Sequence, residues 1–494
     1  MLFIKKVKKI EVYKNYINGK WVDSNSKKTF TSLNPANEEI IGRFQTSNKK
    51  DVDLAVKSAQ DSYEGWSSTP APKRAEILFE VTRLLKKDKQ SLGKLVTMEM
   101  GKVLKEALGD VQESIDIFEY MAGEGRRLFG HTTPSELMNK AAFTIRMPIG
   151  PVGLITPWNF PTAIPSWKLA PALVCGNTVV FKPSSDTPLC AIELVKILEK
   201  AGVPKGVVNL VTGSAREVGE AIVKHPKIRG ISFTGSKLTG EYIIKNAGLK
   251  KVGLELGGKN AIIVMDDADM DLALDGIIWG GFGTTGQRCT AASRVIVDNS
   301  IKEELNDKLI SKAEKLRLGD GLKSSTDVGP LINKNAVEKT HYYTQVGKKE
   351  KAKLVLGGEP VKGKGFFYKP TIFTDVKENM RIAKEEIFGP TVSILSVKDI
   401  DEAIKVCNNI EYGLSSAIYT NDINKAFKAI EKIEAGLTYV NSSTIGSEVH
   451  LPFGGVKHTG HGRESGIEGV HEFSETKTVY IDYSGKLQKA QGIK

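Results

Sequence analysis

From about Pro148 the chain alternates short apolar runs with segments of helical length, and this alternation constrains the fold more than any other property of the sequence. A parallel strand cannot reach its neighbour through a tight turn; it needs a crossover of a dozen or more residues, usually a helix. Segments 152–156, 178–182, 207–211, 230–233 and 252–256 read as strands, and 162–173, 190–201, 217–225 and 237–246 as the helices between them. Five strands and four helices in this order make a doubly wound α/β unit, whose ligands bind beyond the carboxyl ends of the strands.

A helical layer precedes this unit. Segment 73–87 carries Ala75, Leu78, Phe79, Leu84 and Leu85 near helical spacing, 103–128 continues the pattern, and 16–22 is β-like. Segment 130–147 loses helical periodicity and resumes alternation at 142–147, the mark of an excursion from the domain. After Gly258 a second series starts with strand 261–264, helix 269–281, strand 294–297 and helix 301–316, and runs on to Tyr439. The chain therefore reads as two α/β domains, and 494 residues with 40% hydrophobic content can bury both cores.

Several function classes are excluded or disfavoured. The net charge of +12 comes from scattered doublets such as Lys27-Lys28 and Lys250-Lys251, not from a basic stripe with interleaved aromatics, so no nucleic-acid partner is expected. No apolar run reaches the ~18 residues of a membrane span, and the run at 1–6 is too short for a signal peptide, which gives a cytoplasmic reading without a membrane partner. Cys175, Cys190 and Cys407 follow aliphatic residues at irregular spacing and read as small core hydrophobes. With no C-x-x-C pair and no H-E-x-x-H, neither a disulfide framework nor a metal site is indicated. A papain-like pairing would need a histidine base that no local signature supplies.

Cys289 is different. It lies in Thr285-Gly286-Gln287-Arg288-Cys289-Thr290, a glycine-containing, arginine-flanked turn, and the run Leu254-Glu255-Leu256-Gly257-Gly258-Lys259-Asn260 brings a carboxylate before it. A thiol and a carboxylate in such surroundings suggest a nucleophile and its base. Thr156-Pro157-Trp158-Asn159-Phe160-Pro161 follows the first strand of the unit, so the Asn159 amide either donates to an oxyanion or satisfies its own turn. Lys182 ends the second strand beside Ser184 and Ser185, where a ribose would lie. Phe233-Thr234-Gly235-Ser236 opens a helix whose free N–H groups suit a pyrophosphate, though the spacing is neither G-x-G-x-x-G nor a P-loop. Glu385-Glu386-Ile387-Phe388-Gly389-Pro390 and Pro452-Phe453-Gly454-Gly455-Val456-Lys457 pass as ordinary loops.

Taken in order, these runs resemble the aldehyde dehydrogenase superfamily over essentially the whole chain. The resemblance implies an α/β fold with a modified Rossmann cofactor domain at 1–126 and 148–257 and a catalytic α/β domain at 258–447. It also implies a β-arm for oligomerisation at 127–147 and 471–487, in a homodimer or homotetramer. By the same resemblance Cys289 is the nucleophile and Glu255 the general base. Asn159 and the Cys289 backbone N–H form the oxyanion hole, and Lys168 serves proton relay. Lys182, Ser236, Glu386 and Phe388 match cofactor contacts, and Ile155, Thr156, Pro157, Trp158, Ser184, Ser185, Phe233, Gly235 and Leu256 are expected to line the same groove. The cofactor is NADP or NAD, and the partner is a small aldehyde.

Two positions depart from the commonest family pattern. Many NAD-dependent members carry a glutamate three residues after the equivalent of Lys182, to hold the ribose diol; this chain has Ser185, which removes the repulsion of a 2′-phosphate and favours NADP. Arg288 precedes the nucleophile, and the run Glu448-Val449-His450-Leu451-Pro452-Phe453-Gly454-Gly455 is similar to 2-oxoglutarate semialdehyde (2,5-dioxovalerate) dehydrogenases. Arg288, with Thr290 and Phe453, is read as substrate-binding; Arg288 pairs with a substrate carboxylate, lowers the Cys289 pKa, or is structural. The expected reaction is hydrolytic oxidation of a small polar or acidic aldehyde. Its rivals are a CoA-acylating semialdehyde dehydrogenase, which generally lacks the glutamate at Glu255, and a non-catalytic protein on the same fold.

Overall fold

The computed structural model describes residues 10–492, so the reading of the run at 1–6 lies outside the described residues. Two sheets dominate. The first holds five parallel strands, β1 (Pro151–Ile155), β2 (Thr178–Lys182), β3 (Val208–Leu210), β4 (Gly230–Thr234) and β5 (Lys251–Glu255), in the order β3-β2-β1-β4-β5. Every residue of β1, β2 and β4 is buried, as expected of a parallel sheet covered on both faces. The chain winds from β1 outward to β3, then crosses back to β4, so the crevice between the carboxyl ends of β1 and β4 is the switch point where such sheets bind ligands. A hairpin of Asn15–Ile17 and Lys20–Val22 closes the β3 edge, and the short strand Gly460–His461 pairs antiparallel with β5 at the other.

The second sheet carries six parallel strands, of which β6 (Asn260–Val264) and β7 (Ala292–Asp298) are central; β6 also pairs with Ser415–Tyr419, and β7 with Thr391–Val397. β6 starts five residues after Glu255, and β7 three residues after Cys289. The carboxyl edge of the first sheet thus delivers Glu255, and the amino edge of the second delivers Cys289.

The helical layer is longer than the sequence reading. Its first helix, α1 (Ala71–Met100), runs past Lys87 because Leu92, Val96 and Met100 continue the buried stripe beneath a polar outer face, and Gly101 ends it at a left-handed φ of 97°. Phe79, expected on that stripe, is 50% exposed, since the buried line passes through Ala75, Leu78, Val81 and Leu85. The second, α2 (Leu104–Glu124), packs along α1 through Ala107, Val111, Phe118 and Met121. The expected helix at 217–225 begins as a π-turn at Ala215–Gly219 before Glu220–Lys224 becomes α-helical.

The excursion is a three-stranded antiparallel sheet. Lys140–Pro148 pairs with Thr132–Pro134 and, over nine residues from Ser474↔Pro148 to Asp482↔Lys140, with Ser474–Asp482. Phe129, Met138, Tyr480 and Ile481 around this sheet are all at least half exposed. Among the described residues no helix is long and apolar enough to cross a membrane.

Candidate active site

The loop before β7 is held in an unfavourable backbone conformation. Thr284 and Thr285 adopt φ of 51° and 58°, a region costly for β-branched residues by ~1–3 kcal/mol each. Side chains from elsewhere compensate. Glu106 on α2 accepts from the Thr284 N–H at 2.9 and 3.1 Å, the Thr285 hydroxyl donates to the Gly329 carbonyl at 3.0 Å, and Gln287 accepts from the Ile332 N–H at 2.9 Å. Asn260, the first residue of β6, donates to the carbonyls of Cys289 at 2.7 Å and Ala291 at 2.9 Å. Cys289 therefore sits on a rigid mount. Burial pushes its thiol up to about 12, helped by Glu255 and Glu386, while the Thr290 backbone N–H and Arg288 pull weakly the other way. Arg288 alone does not make the thiol a thiolate.

Asn159, buried at the turn after β1, donates through Nδ2 to the Gln287 carbonyl at 3.1 Å. The amide is thereby tied to the nucleophile loop, and its Oδ1 has no partner among the described residues. Cys289 and Asn159 line one cavity, and Glu255 and Cys289 line a second that adjoins it. Glu255 Oε2 is buried without a hydrogen bond, and its carboxyl is pushed well above the usual range by burial and then by Glu464, against the pull of Lys168 and Arg463. Gly454 is required beside it: at φ 147°, a Cβ there would lie 2.6 Å from Glu255 Oε1.

Lys168 makes its bonds away from the thiol. Its ammonium donates to Ser232 Oγ at 2.8 Å and forms a close ion pair with Glu464, fully buried on α3 (Ala163–Val174). Glu464 is a residue the motif reading missed. It stands opposite Phe453 in an isolated bridge, with both backbone hydrogen bonds at 2.7 Å, so only the fold brings it to Lys168. Removing either partner would strand a buried charge, a change worth ~3–5 kcal/mol.

The residues expected at the cofactor converge at the switch point. A cavity of about 680 Å³ is lined on the β1 side by Ile155, Thr156, Pro157 and Trp158, and on the β4 side by Phe233, Gly235 and Ser236. Lys182, Ser184 and Ser185 form its far wall, together with Asp186 and Arg216, which the motif reading did not single out. An adjoining cavity of about 250 Å³ extends past Leu256, Glu386 and Phe388 to Cys289. The two share Pro157, Trp158, Gly235 and Ser236, so they form one groove ending at the thiol.

This groove fits a dinucleotide. Ser236 caps Lys237–Asn246, leaving that helix's N-terminus at the groove, where an anion is favoured. The buried hydroxyls of Thr156 and Thr234 have no partner. Lys182 bonds only the Pro183 carbonyl, at 3.0 Å, and burial lowers its ammonium to about 8 despite Asp186. At the inner end Glu386 accepts from the Gly258 N–H at 3.0 Å, an approach open only because a Cβ on Gly257 would lie 2.6 Å from that carboxylate. Trp158 meets Phe388 edge-on, with ring centroids 5.5 Å apart.

On the opposite side of the thiol lies a small chamber of about 60 Å³, with Arg288, Thr290 and Phe453 in its wall. Phe453 packs edge-on against Trp167 at 5.1 Å. The Arg288 guanidinium donates to Thr284 Oγ1 at 2.9 Å, pairs with Glu106 at 3.4 Å and lies 5.1 Å above the Phe160 ring. Glu113, Phe160 and Ser447 also line the wall; Phe160 belongs to the 156–161 run without a substrate role in the motif reading, and Glu113 and Ser447 lie outside the motifs.

Known proteins share this architecture. The aldehyde dehydrogenase family model matches residues 21–479. The chain is 41% identical to the alpha-ketoglutaric semialdehyde dehydrogenase of Bacillus subtilis over 95% of its own length and 98% of the relative. It is also 41% identical to the 2,5-dioxopentanoate dehydrogenase of Saccharolobus solfataricus, over 93% and 98%. Among solved structures, betaine aldehyde dehydrogenase of Staphylococcus aureus in complex with NAD+ superposes with a TM-score of 0.94 at 36% identity, covering 96% of this chain and 95% of that one. The chain belongs to the aldehyde dehydrogenase family, as an NAD(P)-dependent aldehyde dehydrogenase.

Proposed function

We propose that the enzyme oxidises a small acidic aldehyde, of the 2-oxoglutarate semialdehyde type, to its carboxylic acid, and accepts NADP at least as well as NAD. The observation that carries the substrate reading is Arg288, a guanidinium in the wall of the chamber that ends at Cys289. The names of the semialdehyde dehydrogenase relatives support the same class.

Cys289 Sγ attacks the aldehyde carbon as its proton passes to a base, for which Glu255, lining the same chamber, is the candidate. The alkoxide that forms is held by Asn159 Nδ2 and the Cys289 backbone N–H, neutral donors that stabilise it without trapping it. Glu386 and Phe388, at the inner end of the groove, would hold the nicotinamide, which would accept the hydride when bound. Glu255 then takes a proton from water, and the hydroxide so generated cleaves the Cys289 thioester to release the acid. Each proton that Glu255 takes, first from the thiol and then from water, passes on to the Glu464 carboxylate and out to solvent, with Lys168 holding Glu464 in place, so Glu255 is a carboxylate again before the next step. The retained Glu255 favours water over CoA as acyl acceptor.

Ser185 and Arg216 support NADP. Both line the far end of the groove, where Ser185 donates to the Gly213 carbonyl at 3.1 Å and brings no charge against a 2′-phosphate. The arm of residues 127–147 and 471–487 is read as the oligomerisation element of a homodimer or homotetramer, because its exposed apolar side chains have no cover within one chain. Four free thiols fit the reducing cytoplasm.

The test is a kcat/KM panel of 2-oxoglutarate semialdehyde, succinate semialdehyde, glyceraldehyde, its phosphate and pentanal, each with NADP and NAD. An acidic semialdehyde is expected to lead. A neutral aldehyde of the same length used equally well overturns the substrate reading. A preference for NAD above about tenfold, ~1.4 kcal/mol of discrimination, overturns the cofactor reading.

A further inference from the structure

The chamber at Cys289 opens outward through a neck. Glu113, Phe160, Arg288 and Gly446 line both the chamber and a funnel of about 620 Å³ beyond it, so any substrate tail passes between them. The charges here are mostly balanced. Lys102 and Asp110 form an ion pair at 2.9 Å with both side chains fully buried, and Asp110 also accepts from Thr162 Oγ1 and the Ala163 N–H at 2.7 Å. Arg288 is matched by Glu106. At the neck itself Glu113 is the carboxyl left over: it has no hydrogen-bond or ion-pair partner among the described residues, and it faces the neck on α2 two turns beyond Glu106.

An ionised Glu113 beside Arg288 would oppose a substrate carboxylate, because two anions would then compete for a guanidinium already holding Glu106. Two carboxyl groups at such a point coexist when they share a proton. We propose that Glu113 is a specificity residue: in its neutral form it donates a hydrogen bond to the carboxylate of an acidic semialdehyde while Arg288 supplies the opposing charge. This rests on the acidic-substrate reading. The proton is taken from solvent on binding and returned when the product leaves.

The surroundings of Glu113 favour the neutral form. Burial raises its carboxyl to about 7, with Asp110 and Asp116 adding to the rise and Arg288 and Lys102 opposing it. The other ionisable groups of the chamber are Cys289, Glu255 and Glu464, and those of the funnel are Lys105, Glu106, Asp275 and Asp327. Groups that act on every aldehyde, Cys289 and Glu255 among them, cancel in a ratio between two substrates. Glu113 does not cancel, because only the acidic substrate needs its proton.

The experiment measures kcat/KM for 2-oxoglutarate semialdehyde relative to pentanal, from pH 6 to 8.5, in the full-length enzyme. For the unmodified enzyme the ratio is expected to fall at least tenfold across that range. Glu113→Gln, which stays neutral, should hold the ratio flat. Glu113→Leu should lower it about tenfold at pH 6, with NADP binding, read by fluorescence titration, as the folding control. Binding of 2-oxoglutarate, followed calorimetrically at pH 8 in two buffers of different ionisation heat, should take up about one proton per site, and none in Glu113→Gln. A slope that survives in Glu113→Gln, or an unchanged pH 6 ratio in Glu113→Leu, overturns the proposal. A high but flat ratio in the unmodified enzyme overturns the role of Glu113 alone, whereas a ratio below one at every pH removes the acidic-substrate reading and this proposal with it.

Discussion

The two sides of Cys289 are built by different means. The groove on one side is assembled from strand ends: β1, β2, β4 and β5 each deliver the residues that immediately follow them, and sheet order alone brings these together. The neck on the other side is assembled from α2, Phe160 in the turn after β1, the loop at 284–290 and the segment near Gly446, four pieces spread from position 113 to position 446. A binding site made of strand ends follows from topology and can be shared by many proteins, whereas one made of converging side chains can change its chemistry without disturbing the fold.

The largest effect should come where the two sides meet. Cys289→Ala is expected to lower kcat by about 10⁴-fold or more while NADP binding, read by fluorescence titration, stays within about twofold. Loss of cofactor binding in that variant would show that the groove and the thiol are not separable. A second effect concerns the thiol itself. With its pKa pushed up to about 12, the thiolate fraction in the cofactor-free enzyme grows tenfold per pH unit, so alkylation of Cys289 by iodoacetamide should accelerate about a hundredfold between pH 7 and 9 without a plateau. A plateau near pH 7 would mean that Arg288 activates the thiol after all. The smallest effect is confined to the groove: Ser185→Glu should lower kcat/KM with NADP about tenfold, leave NAD within about threefold, and keep the ranking of aldehydes. A changed aldehyde ranking would break the division between the two sides.

This contrast also explains what was legible from sequence. The strands of the first sheet are readable because each is a short, largely buried apolar run bounded by turn formers, and Lys182, Ser236 and Glu255 can be placed because each stands within two residues of such a run. Glu464 could not, since its meeting with Lys168 depends on a bridge to Phe453 that no periodicity announces. Glu106 and Glu113 are hidden for a related reason: on a helix read only for its apolar stripe, a carboxylate on the other face looks solvated, and only the arrival of the 284–290 loop gives Glu106 its partner Arg288 and places Glu113 at the neck. Phe79 was misplaced by the same simplification, since an aromatic adjacent in sequence to the stripe does not share its face.

The three-stranded arm has a consequence for how the chain is made. Its central strand ends at Pro148 and its partner starts at Ser474, so the 325 residues 149–473 must be synthesised between the two. At ~5–20 residues per second that is roughly 15–65 s during which Lys140–Pro148 lacks its long neighbour. The edge of β5 waits about two thirds as long for Gly460–His461. The first sheet and the arm therefore leave the ribosome with two unpaired strand edges, a liability for aggregation, and residues 460–482 work as the clasp that covers both.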